Sequence, residues 1–204
     1  MASSFVRWYR AMRFGRPIVV VSGLPRSGTS MAMRMLEAGG LEVVSDGLRV
    51  ADESNPTGYY EDERVKELDK SADTSWLNEA RGKAIKVISF LLRDLPDTNN
   101  YRVIFMHRPM GEVMTSQNAM LRARQERVEV TTDERIARQY EDHLRAVSAL
   151  LARRPCFDVL DVDYPEVVDR PLEQAERIAR FVGGPLDASK MAAAVDRALY
   201  RNRG

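Results

Sequence analysis

The sequence predicts a three-layer α/β fold around a mostly parallel central sheet. Three observations carry that prediction. Short β-branched runs alternate with helical patterns along the chain. The first such run ends in a glycine-rich turn that opens a helix. A second buried run, Val103-Ile104-Phe105-Met106, ends at His107-Arg108-Pro109 and opens another.

Residues 17–22 read Pro-Ile-Val-Val-Val-Ser, a continuous β-branched run typical of a strand buried on both faces. Residues 30–38 carry Met31, Met35 and Leu36 among helix formers and predict a helix. Residues 41–44 predict a short second strand, 51–58 a loop, 61–70 a charged helix and 84–88 a further strand. Pro109 suits the first turn of the helix after residues 103–106. Residues 132–153 predict a long helix, because Ile136, Tyr140, Leu144, Val147 and Leu151 recur at steps of three or four. Residues 157–162 are a last strand, and 172–182 and 188–199 close the chain as helices. Residues 1–204 read as one domain, with 1–16 as an N-terminal helical extension.

Composition narrows the function classes. Apolar residues are 44% and charged residues 30% of 204, which is a globular balance. A net charge of +1 gives no overall attraction to nucleic acid, so any anion site must be local. The one cysteine, Cys156, excludes an internal disulfide framework, suits a reducing, cytoplasmic compartment and reads as a buried inert thiol. No apolar run approaches the ~18 residues of a membrane span. Residues 1–17 mix Phe5, Trp8, Tyr9, Met12 and Phe14 with Arg7, Arg10, Arg13 and Arg16. A helix packed on the domain is expected there, with a membrane-surface or partner-binding helix as the alternative.

Gly23-Leu24-Pro25-Arg26-Ser27-Gly28-Thr29-Ser30 has the spacing of a phosphate-binding loop, with glycines that let backbone N–H groups wrap an anion at a helix N-terminus. The lysine that reaches the β- and γ-phosphates of a nucleoside triphosphate is replaced by Thr29, and Arg26 lies inside the loop. A phosphate is still well served; a triphosphate with magnesium is not. A second anion site is expected where Arg108, at a strand end, and Ser116, eight positions later in the next helix, approach one phosphate.

Pro25 to Ser30 resembles the 5'-phosphosulfate loop of the PAPS-dependent sulfotransferases, and Arg108 to Ser116 resembles their 3'-phosphate motif, R-x-x-x-[DE]-V-x-x-S. The likeness runs over residues 18–182 and implies a P-loop sulfotransferase-like fold. It implies a sulfuryl transfer from 3'-phosphoadenosine-5'-phosphosulfate (PAPS), leaving 3'-phosphoadenosine-5'-phosphate (PAP), to a hydroxyl or amine of a small molecule, glycan or peptide. Pro25, Arg26, Ser27, Gly28, Thr29, Ser30, Arg108 and Ser116 are the implied nucleotide-binding residues, and no metal is implied. Arg26 and Lys86 are the implied contacts to the transferring group, Lys86 from a strand loosely similar to the cytosolic enzymes' lysine strand. Their histidine base is replaced by Ile88. The base is left between Glu61, at the end of Asn55-Pro56-Thr57-Gly58-Tyr59-Tyr60-Glu61, and Asp46, with Glu61 preferred. The adenine-stacking tryptophan is Met31 here, and the R-K-G phosphate motif has no counterpart before the tail Tyr200-Arg201-Asn202-Arg203-Gly204. A P-loop nucleotide kinase and a non-catalytic PAP-binding module remain as alternatives. His107 and His143 read as packed or surface side chains. Arg122, Arg124 and Arg127 form a basic cluster whose default reading is a solvated face. The acceptor and the oligomeric state, a homodimer included, stay open.

Overall fold

The architecture is that of a computed structural model, which describes residues 4–48, 58, 60–71, 73–123 and 133–197. Helix α1 (Ser4–Phe14) leads into strand β1 (Ile18–Gly23) and helix α2 (Thr29–Ala38). A one-turn helix α3 (Glu63–Lys66) and a 3-10 helix (Ser75–Ala80) precede β2 (Ala84–Lys86). A second 3-10 helix (Ser89–Asp94), β3 (Tyr101–His107), α4 (Met110–Ala123) and α5 (Asp133–Arg153) follow. The chain continues through β4 (Phe157–Asp163), α6 (Tyr164–Asp169), α7 (Pro171–Val182) and α8 (Ala188–Ala193).

The sheet is parallel throughout, in the order β2-β1-β3-β4. Side chains alternate across it. Val19 and Val21 face a core with Met33, Met35, Leu36, Val167 and Ile178 from α2, α6 and α7. Ile18 and Val20 face the opposite core with Leu77, Leu92, Val147 and Leu151. Both faces are therefore covered, which is why β1 and β3 are apolar runs without polar alternation. This is the expected three-layer α/β arrangement.

Several boundaries differ from expectation. Residues 41–44 do not form a strand in the sheet. Val43 makes a single parallel bridge to Ala84, and Val44 N–H then donates to the Ala84 carbonyl. The charged segment 61–70 is helical for one turn only. Asp62 caps it by accepting from Arg64 N–H, and Val65 and Leu68 are its only buried apolar side chains. The last helix ends at Ala193. The tail from Tyr200, the basic pair Arg124 and Arg127, and residues 51–57 lie outside the described residues. Cys156 is a buried free thiol, its pKa raised by burial, as an inert core cysteine requires.

The order of the sheet fixes where a ligand can sit. After β1 the chain crosses to one side to form β2, and later to the other side to form β3. The gap between β1 and β3 at their carboxyl ends is a topological switch point, where open α/β sheets bind ligands.

Candidate anion-binding active site

β1 ends at Gly23, and the chain turns through residues 24–28 into α2. Gly28 caps the helix in the left-handed region, φ 100°. A Cβ there would overlap the buried ring of Tyr164, so glycine is required for both conformation and space. The loop is tight as well as exposed to strain. Arg26, a non-glycine residue, is at φ 69°. Two long-range hydrogen bonds hold it there. Its Nε donates to Ser116 Oγ at 2.9 Å, and Arg108 Nη1 donates to its carbonyl at 3.1 Å.

Arg108 leaves the end of β3, the strand beside β1. Its Nε donates to Glu112 Oε2 at 2.9 Å, one turn into α4. The side chains of this pair are 7% and 9% exposed. The Arg108 guanidinium also lies 4.5 Å from the centre of the Tyr164 ring, a cation–π contact. Burial raises the Tyr164 pKa, which the nearby Arg108 partly offsets, and the phenol stays neutral. Arg26, Arg108 and Ser116 thus form one interlocked group at the switch point. The Ser116 hydroxyl bridges the loop to α4.

On the other flank, Lys86 ends β2, level with Val21 of β1. Its Nζ lies 3.4 Å from Ser30 Oγ and 3.6 Å from Glu61 Oε1. Lys66 approaches the second Glu61 oxygen at 3.2 Å. The side chains of Lys86 and Glu61 are 9% and 17% exposed. Lys86, Glu61 and Ser30 are therefore brought together beside the loop. Asp46 is placed differently. Its two oxygens accept from Leu48 N–H at 2.9 Å and Glu63 N–H at 2.7 Å, tying its loop to the start of α3. Asp46→Ala is expected to cost at most about 1 kcal/mol in thermal melts, the usual value of a lost cap, and to leave nucleotide binding unchanged. Tyr60 donates to Glu37 Oε2 at 2.6 Å, and its pKa is pushed up to about 12, by burial first and then by Glu37. It is a protonated phenol at neutral pH and a poor base.

The two histidines sit away from the loop's own contacts. His107 Nε2 pairs with Asp161 Oδ1 at 2.7 Å. His143 stacks on Phe90 and bonds to Ser89, its pKa lowered by burial and then by Arg93.

The donor set suits an anion at the carboxyl ends of the strands. Glycines at 23 and 28 let the loop pack closely against β3 and Tyr164. Gly23 admits no Cβ, because one would lie 2.6 Å from the Met106 carbonyl oxygen. Ser27 Oγ is buried and finds no hydrogen-bond partner among the described residues. Cationic groups of Arg26, Arg108 and Lys86 approach from the ends of three adjacent strands. Among the described residues no cluster of acidic or histidine side chains suits a metal ion. The Glu112 and Tyr164 contacts to Arg108 escaped the sequence reading. The i, i+4 spacing of Arg108 and Glu112 was a visible signal. For Tyr164, far away in the chain, the one signal was its place after Asp163 at a strand end, which resembles the sulfotransferase pattern there.

Fold and site together define an α/β protein with a glycine-containing turn and three cationic side chains at the sheet's switch point. A sequence profile of the sulfotransferase family matches residues 64–188, more than half of the chain, and the chain belongs to that family. The matched segment holds Lys86, Arg108 and Ser116; the Gly23–Ser30 loop precedes it. Two solved structures show the same fold. One is the sulfotransferase STF1 from Mycobacterium tuberculosis, at 19% identity and TM-score 0.59, over 91% of this chain and 73% of that one. The other is the sulfotransferase domain from the curacin biosynthetic pathway, at 14% identity and TM-score 0.51, over 90% and 89%. A search of curated proteins finds no match.

Proposed function

We propose that this chain transfers a sulfuryl group from PAPS to a hydroxyl or amine acceptor. The observation that carries the reading is the interlocked group Arg26, Arg108 and Ser116 at the carboxyl ends of β1 and β3, with Lys86 and Glu61 beside Ser30 at the end of β2. PAPS, when bound, supplies the activated sulfuryl group. The loop N–H groups and the Ser27, Thr29 and Ser30 hydroxyls bind the 5'-phosphate, with Pro25 and Gly28 setting the turn. Arg108 and Ser116 read the 3'-phosphate, which separates this nucleotide from AMP and ATP. Arg26 and Lys86 meet the charge that develops on the departing phosphate oxygen. Glu61 receives the acceptor's proton as the acceptor oxygen or nitrogen bonds to sulfur and the sulfur–phosphate oxygen bond breaks. Two lysines hold the Glu61 carboxylate in place, whereas the Asp46 oxygens are spent on backbone N–H groups. The whole chain acts as one domain. Its unpaired thiol suits a reducing, cytoplasmic setting. Among the described residues no helix is long and apolar enough to cross a membrane.

An acceptor panel read by PAP release tests the reading. Turnover should appear with at least one phenol, alcohol or amine. Glu61→Gln should cut it by about 10² to 10⁴, the usual range for a general base, while PAP binds as in the wild type. Full turnover in Glu61→Gln reassigns the base. Bisphosphate binding with no turnover across the panel favours a non-catalytic binding module.

A further inference from the structure

Helix α1 is bound to the domain by one narrow face. Arg10 Nε donates to Asn100 Oδ1 at 3.0 Å, and its Nη2 donates to the carbonyls of Asp97 and Asn99 at 2.6 and 2.8 Å. Asn100 Nδ2 donates back to the Arg10 carbonyl at 2.9 Å. Val6, Arg10 and Phe14, four residues apart, are half-buried, alone among the described side chains of the helix. The opposite face carries Phe5, Trp8, Tyr9 and Met12, at i, i+3, i+4 and i+7. They are 70%, 59%, 50% and 70% exposed. An ordinary surface helix turns its apolar stripe to the core. This one is anchored through an arginine and turns its stripe to solvent.

Charge selects the occupant. The helix contains no acidic residue, and Arg7, Arg10 and Arg13 lie on it with Arg16 just beyond. Arg13 and Arg16 are exposed. A second copy docked through the same stripe would set arginines against arginines, with no carboxylate on either helix. An anionic bilayer answers both features at once. Its interface takes aromatic and methionine side chains, and its headgroups take the guanidinium groups. Placement fits as well. Arg10 is tied to the segment that enters β3, at the amino ends of the strands, so the nucleotide loop lies at the other end of the sheet. We propose that α1 is an interfacial helix that attaches this protein to anionic lipid surfaces while the nucleotide site stays open to water.

Vesicle cosedimentation of the full chain tests this. Partitioning onto phosphatidylcholine vesicles containing about 30% phosphatidylglycerol should exceed that onto phosphatidylcholine alone by about tenfold or more. The pair Trp8→Ser/Met12→Ser should abolish binding to either vesicle, and Arg13→Glu/Arg16→Glu should remove the preference for the anionic one. These side chains are exposed, so circular dichroism, melting temperature and PAP affinity should match the wild type. A wild-type chain that stays in the supernatant with both vesicles overturns the proposal. So does partitioning that ignores the substitutions. Loss of a dimer in Trp8→Ser/Met12→Ser, without vesicle binding by the wild type, overturns it in favour of a second copy as the occupant.

Discussion

Arg108→Ala is expected to lower stability by about 3 kcal/mol, because it removes the guanidinium from a buried carboxylate. Glu112 is 9% exposed and would lose the hydrogen-bonded ion pair with that side chain. The same substitution removes the hydrogen bond to the Arg26 carbonyl and the cation over Tyr164. Chemical denaturation should therefore show an earlier midpoint at unchanged slope. The double variant Arg108→Met/Glu112→Gln should regain most of the loss, since both members of the buried pair are replaced together. A single variant as stable as the wild type would show that the pair contributes nothing net. Recovery of stability in the double variant should not recover PAP binding, which separates the structural part of Arg108 from its nucleotide part.

Gly28→Ala should be nearly as severe, by a different route. The residue is at φ 100°, where a side chain costs about 1 to 3 kcal/mol in backbone strain. Its Cβ would also overlap the Tyr164 ring, which is 5% exposed and held beneath Arg108. The ring cannot swing away without uncovering Arg108, so the loop must move instead. PAP affinity is expected to fall by at least about a hundredfold, because backbone N–H groups displaced by an ångström no longer point at one phosphate. Gly111→Ala is the control. It lies in α4 with open space around it and should be neutral or stabilising by up to about 1 kcal/mol. Equal PAP affinity in Gly28→Ala and the wild type would mean that the loop backbone does not hold the phosphate.

Much of the fold was legible because its strands are buried on both faces. Val19, Val20 and Val21, and Val103 to Met106, leave no polar position by which to mistake a strand for a surface element. The failures came where tertiary contact decides. Residues 41–44 have β-forming side chains, yet beside a three-residue β2 they find only one bridge. Residues 61–70 have helical composition but few apolar side chains to bury, so the helix stops after one turn. The placing of Arg26, Arg108 and Ser116 near neighbouring strand ends was readable from spacing. The hydrogen bond that joins Arg26 to Ser116 was not, since it links two elements remote in sequence. The same holds for Lys86 and Glu61, which meet only because β2 ends beside the segment entering α3. Choosing Glu61 over Asp46 from sequence alone rested on resemblance. The geometry supplies a physical reason, in the backbone bonds that occupy Asp46.

Arg108 and Ser116 are proposed to read a 3'-phosphate. Calorimetric titration of PAP and AMP into the wild type and Arg108→Lys tests it most directly. The lysine keeps a cation beside Glu112 but loses the planar fork. PAP should bind the wild type about ten- to a hundredfold more tightly than AMP, the worth of one or two charge-assisted hydrogen bonds, and the ratio should collapse in the variant. Equal affinities for PAP and AMP in the wild type, or a ratio that survives in Arg108→Lys, would contradict the account.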